Sequence, residues 1–293
     1  MLNNRMRVVR TALFAVAVAT LGSAASASAE LLGEFTRFQQ CPWTNTEVKQ
    51  CLYMQSNGGT LTLGKKKVSI EKQIVLQGGF GEPGSGISPF FAATDGVTLT
   101  KASQSVPGGL AGLIPEGKAP PLVKSLTKFY FENSLTGVTA TLELAEPASS
   151  IGFGKLHLLD GESLALKLPL KLHLENPFLG KACYVGASGS PMVWELTTGV
   201  TAPEKPNAPI TGAPGVSKLL EKKQILELSE NELVDNKWSA PGANGCGGSL
   251  SFLVDPIVNE QLGDMTAGHN SSVLKNTIYI SAAEAVKLNH EMG

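Results

Sequence analysis

The run ESLALKLPLKLHLEN at 162–176 constrains this chain more than any other stretch. Leu164, Leu166, Leu168, Leu170, Leu172 and Leu174 alternate with Ala165, Lys167, Pro169, Lys171, His173 and Glu175. A helix, with 3.6 residues per turn, would scatter six leucines at period two around its whole circumference; a strand puts all of them on one face. The chain therefore has to build a sheet with one buried and one wet face. Pro169 lacks a backbone donor, which predicts an edge strand or a bulge at that point. His173 alternates with the leucines and is predicted to face solvent.

Weaker alternation recurs at 60–63, 68–78, 96–100, 137–146, 190–199, 224–229, 232–239 and 272–281. The 32 glycines and 17 prolines supply turn signals between these runs. Many short strands divided by turns predict a mainly β fold, a sandwich-like antiparallel architecture with a few short helices. One helix is expected at 120–133, with Leu122, Val123, Leu126, Phe129 and Tyr130 facing the core. A second is DPIVNEQLG, with Asp255 as N-cap, Pro256 in the first turn and Gly263 as the stop. AAEAVKLNHEM forms a third at the C-terminus. Two Gly- and Pro-rich stretches, 105–121 and 201–215, read as connections, and the second is a possible point of subdivision.

The first ten residues carry Arg5, Arg7 and Arg10 and no acid, and they lead into TALFAVAVATLG and then SAASASA. The apolar run is shorter than the roughly 20 residues a bilayer-spanning helix needs. Ala27-Ser28-Ala29 supplies a small-residue cleavage site before Glu30. Residues 1–29 are therefore expected to be a secretory signal peptide, and 30–293 a single disulfide-linked β-rich domain, secreted or held at the cell envelope without a transmembrane anchor. Losing three arginines and no acids takes the formal charge from −1 to about −4. Nucleic acid is excluded as a partner on that balance. The longest basic run, Lys65-Lys66-Lys67, reads as a solvated hairpin turn.

Four cysteines in an exported chain point to two disulfides. Cys41 and Cys51 flank a short polar segment and are expected to pair, leaving Cys183 with Cys246, a bond worth on the order of 4 kcal/mol in the chain-entropy model. Three connectivities are possible, so the pairing stands as a hypothesis. No C-x-x-C spacing and no histidine close to a cysteine in sequence point to a metal, and no motif points to a cofactor.

CYVGASGSP at 183–191 resembles the nucleophile loop of chymotrypsin-like serine proteases, which makes Ser188 the candidate for a serine hydrolase. The family's acid before the serine is absent, Ala187 standing there, and neither His157 nor His173 has the family's setting. Serine needs a base within hydrogen-bond reach. The preferred reading of GASGSP is a tight turn between two strands, with Gly186 and Gly189 at positive φ. A bond between Cys183 and Cys246 would lay this turn beside PGANGCGG. The two loops would then fasten one end of the sheet, or offer free backbone groups near Ser190 and Asn244 to a partner strand or a glycan. VPGGLAGLIP at 106–115 raises a carrier for an apolar ligand. The competing and preferred reading is that Leu110, Leu113 and Ile114 cover the end of the core.

The segments KKVSIEKQIVLQGGF, GVTATLELAEPASSIG, ENPFLGKACYVGASGSP with LTTGVTAP, and ELVDNKWSAPGANGCGG resemble a group of uncharacterised secreted proteins from actinomycete-type bacteria. The resemblance implies export and brings no assigned activity. The expectation is a secreted or envelope-associated protein that binds or supports and does not catalyse, its partner being cell-wall material or an apolar ligand.

Overall fold

The computed structural model describes residues 30–83, 86–115 and 117–292. The expected signal peptide lies outside them. Fourteen strands form among the described residues: β1 (Gln50–Leu63), β2 (Lys66–Ser69), β3 (Val75–Phe80), β4 (Ser88–Ala92), β5 (Gln104–Ser105), β6 (Thr139–Leu144), β7 (Gly152–Phe153), β8 (Leu166–Glu175), β9 (Tyr184–Val185), β10 (Met192–Leu196), β11 (Val216–Leu220), β12 (Ile225–Asp235), β13 (Ala243–Asn244) and β14 (Ser271–Ala282). The helices are short: α1 (Gly109–Leu113), α2 (Pro121–Glu132), α3 (His157–Asp160), α4 (Ser251–Leu262) and α5 (Ala283–Met292).

All strand pairs are antiparallel. The ladder runs β11-β12-β14-β1-β3-β4-β7-β8-β6-β5, with β9 and β10 also on β8, β2 on β1 and β13 on β9. Strand β4 pairs with β3 through Phe90–Ala92 and with β7 through Ser88 and Pro89, so the sheet turns there from one half to the other. Leu52, Leu76 and Ile278 from one half share a single apolar core with Leu142, Leu168 and Trp194 from the other. The result is the sandwich-like, mainly antiparallel β architecture that the alternating runs predict.

The leucine run is the heart of this arrangement. Leu166, Leu168, Leu170, Leu172 and Leu174 are all buried. Pro169 does not mark an edge, however, because β8 has partners on both sides. Its carbonyl accepts from Ala145 N–H at 2.9 Å, so its missing donor faces the gap where β6 ends, opposite Leu170, and β7 begins, opposite Lys167. A proline is tolerated in a central strand when no partner awaits its N–H.

Other local expectations need correction. Residues 96–100 form no strand; only Leu99 bridges to Leu76. The runs at 224–229 and 232–239 are one strand, β12, with an irregularity between Leu228 and Asn231. Helix α2 forms where predicted but turns only part of the expected face inward: Val123 and Thr127 are buried and Tyr130 packs on the core, while Leu122, Leu126 and Phe129 are 52%, 40% and 57% exposed. Helix α4 begins at Ser251, so Asp255 is inside it and is no N-cap. Segment 201–215 is stitched to its flanks: Gly212 N–H donates to Gly199, Ala213 and Glu232 exchange two bonds, and Asn207 Nδ2 donates to the carbonyls of Asn236 and Asn270.

A smaller apolar cluster lies outside the main core. Phe35, Phe38 and Val48 of the N-terminal arm pack with Tyr279 and with Val286 of α5. The Cys41–Cys51 disulfide, Cα atoms 5.5 Å apart, ties this arm to the first strand.

Candidate functional site

The two halves of the sheet meet again at a seam between β10 and β12. Thr197 and Val234 exchange two backbone hydrogen bonds there, 3.0 and 2.9 Å long. One step further the backbones diverge, and a side chain replaces the ladder: Asp235 Oδ2 accepts the Glu195 N–H at 2.6 Å and Oδ1 accepts the Lys237 N–H at 2.9 Å. The residue type explains the geometry, since a short carboxylate at a strand end satisfies the backbone N–H two residues on. Burial pushes the Asp235 carboxyl above the ordinary carboxylate range, against the pull of the two backbone donors.

Beyond Asp235 the seam opens into a cleft of about 390 Å³, with Val193 and Glu195 on one side and Asp235, Lys237 and Trp238 on the other. Lys237 Nζ lies 3.8 Å from Glu195 Oε2, which sets an ion pair across it. Trp238 packs on Trp194 with ring centroids 5.8 Å apart, and both indoles belong to the core.

The backbone of β10 faces this cleft by register. Leu196 C=O accepts from Ala165 N–H on the β8 side, whereas Thr197 and Glu195 direct their N–H groups across the seam. Because antiparallel strands alternate the side on which both backbone groups point, Val193 directs its N–H and C=O into the cleft, and so does the Glu195 carbonyl. None of these three groups has a partner among the described residues.

The sequence-derived candidates lie elsewhere. Ser188 is exposed in the turn joining β9 to β10; its Oγ is 3.5 Å from Glu146 Oε1, which also accepts the Gly189 N–H at 2.6 Å. Among the described residues no histidine hydrogen-bonds to Ser188. The nearest acid to the His157 ring is Asp160, with Nδ1 to Oδ2 3.4 Å. His173 is not freely solvated as expected: its ring stacks on Tyr184 at 4.3 Å, and Nδ1 lies 3.9 Å from both Glu143 and Glu175. That group is a line of cross-strand neighbours on the outer face of β6, β8 and β9, in which Lys101 and Lys171 also contact Glu143.

The Cys183–Cys246 disulfide, Cα atoms 4.1 Å apart, is formed beside the β9–β13 pair. Several of the backbone groups expected to be free near it have partners. Asp255 of α4 accepts the N–H of Gly245 at 3.1 Å and of Cys246 at 2.7 Å, Asn259 holds Ala243 by both its amide groups, and Gly247 N–H donates to Leu179. These contacts fasten the loop to α4 and to Leu179. Leu110, Leu113 and Ile114 are completely covered, so the exposed apolar patch that suggested a carrier is absent at that segment. A cavity in the core, bounded by Met54, Leu76, Leu142 and Trp194, measures only about 20 Å³.

Sequence reasoning missed the seam cleft because its parts are ordinary residues 40 positions apart. The one readable signal was Asp235 ending a strand run immediately before Asn236. Among the described residues no helix is long and apolar enough to cross a membrane, and no group of three His, Cys, Asp or Glu side chains is placed to hold a metal ion. No family model, no curated protein and no solved structure matches this chain.

Proposed function

We propose that this is a secreted or envelope-associated protein, akin to the exported actinomycete-type proteins it resembles, which works by binding and not by catalysis, with the seam cleft as its ligand site. The observation that carries the reading is the cleft itself. It joins unpaired backbone groups, an ion pair and a buried carboxylate in one concavity of ligand size. Both oxygens of Asp235 are engaged by backbone N–H groups, which suits a fixed wall better than an acid or base in turnover. Two disulfides fit an oxidising compartment.

The test is sedimentation of the purified protein with isolated cell-envelope material, parent against Lys237→Glu, beside exposure of the parent to a fluorophosphonate probe. The expected outcome is cosedimentation of the parent, weakened about tenfold or more by the charge reversal at the cleft, and no labelling of Ser188. A parent that stays in the supernatant, or labelling that disappears in Ser188→Ala, would sink the reading.

A further inference from the structure

We infer that the seam cleft takes an extended polypeptide segment, which adds as a strand to the free edge of β10; this rests on the binding role proposed above. The edge is free because β10 and β12 share only the Thr197–Val234 bridge and the Asp235 contact before they part. From that point the Val193 N–H, the Val193 C=O and the Glu195 C=O point into the cleft without partners. A donor and two acceptors at strand spacing, on a fixed backbone, form the hydrogen-bonding half of an antiparallel ladder, and another extended backbone supplies the complementary half.

The competing ligand is a sugar, which would use aromatic faces and free carboxylates. The cleft offers no open aromatic face, since Trp238 is 4% exposed and packed on Trp194, and of its two carboxylates Asp235 has both oxygens occupied by backbone N–H groups while Glu195 is ion-paired with Lys237. The accessible side chains are Glu195 and Lys237, half-exposed and 3.8 Å apart. They set one charge of each sign beside the edge, so an incoming strand with a cation opposite Glu195 is favoured.

Another free edge, β11, differs. Its five residues are exposed or half-buried with no second wall, whereas β10 borders a cleft closed on its far side by Lys237 and Trp238. A strand added at β10 is gripped by two walls and prolongs the seam that Thr197 and Val234 begin.

The test uses the full secreted chain and the synthetic peptide acetyl-Thr-Val-Lys-Val-Thr-Val-Thr-amide, with a counterpart N-methylated at alternate residues. The N-methylated form keeps the side chains and loses the strand donors. Amide hydrogen exchange at Val193 is expected to slow about tenfold or more with the first peptide and to be unchanged by the second. Val193→Pro removes the donor without touching the β8 ladder, since that N–H faces away from β8, and is expected to abolish the peptide's effect on neighbouring amides. Equal effects of both peptides would overturn strand addition while leaving a binding cleft in place. A cell-wall oligosaccharide that shifts the Val193, Lys237 and Trp238 resonances where neither peptide does would overturn it in favour of a sugar. No response at Val193 to the unmodified peptide at millimolar concentration would also overturn it, without bearing on envelope sedimentation.

Discussion

Gly186 and Gly189 both hold left-handed backbone in the turn before β10, with φ of +83° and +79°. They differ in surroundings: a Cβ on Gly186 would lie 3.2 Å from the Leu170 carbonyl oxygen, whereas one on Gly189 would meet nothing within 4 Å. Valine at Gly189 therefore carries backbone strain alone, about 1–2 kcal/mol. Valine at Gly186 adds a contact with the backbone of β8 that cannot move aside cheaply, because Leu170 is central to the ladder. Urea unfolding of the two variants is expected to show the larger loss for Gly186→Val; equal losses would mean that the turn relaxes. That both glycines take positive φ was legible from G-x-S-G between two strand runs. Which of them touches β8 was not, since the contact depends on how β9 and β10 share one side of that strand.

Element-scale behaviour follows from which edges and faces the strands and helices leave uncovered. Strand β11 ends the sheet, and Val216 and Leu219 are more than half exposed on it. A flat apolar edge invites pairing between copies, and a central lysine is a common guard against it. Lys218 occupies that centre: two copies of VSKLL paired antiparallel about it would set lysine opposite lysine. Lys218→Val is expected to give an apparent mass that rises with concentration in light scattering, more steeply than the parent's. An unchanged mass would show that the turn at 221–222 or the arm above it already blocks the edge. Helix α2 shows the same dependence on context. Its apolar periodicity was readable, and Val123 and Tyr130 face the core as expected, but Thr127 joins them and Leu122, Leu126 and Phe129 do not, because the periodic stripe is wide enough to allow two orientations.

For the whole molecule, the charged groups on the sheet's outer surface set its response to acid. Glu143 is largely buried, which opposes its charge, yet Lys101 Nζ at 3.0 Å and Lys171 Nζ at 3.5 Å hold its carboxyl below the ordinary carboxylate range. In the unfolded chain that depression vanishes. Its contribution to stability is therefore complete above the ordinary range and lost as pH falls through the depressed folded value. Asp235 has the opposite sign: its carboxyl is raised by burial, so its contribution is complete below the ordinary range and lost as pH rises through the raised folded value. Glu143→Gln is expected to be less stable than the parent near neutral pH and to converge with it only as pH falls below the ordinary carboxylate range and through the depressed folded value, as read from urea midpoints along that descent. A gap that stays constant with pH would mean that Glu143 acts through packing and not through its charge.

Sequence alone determined the class of this fold, because a strict period of two along the leucine run admits a strand and no helix, and because the apolar side chains of such a strand must be covered. It also pointed to the two disulfide pairs and to Ser188 in a turn. These are local properties, carried by neighbours within about ten positions, or, for the cysteines, by there being only four. Tertiary structure alone decided that β8 is central, that Asp255 fastens the Cys246 loop, and that β10 and β12 meet at a seam and then part to leave a cleft. Each depends on two segments 9 to 40 residues apart lying side by side, and no periodicity in either segment encodes its partner. The carboxylate of Asp235 makes the point in one residue. Its place in the sequence marks a strand end, but its role in holding the seam exists only once Glu195 has been brought within hydrogen-bond reach.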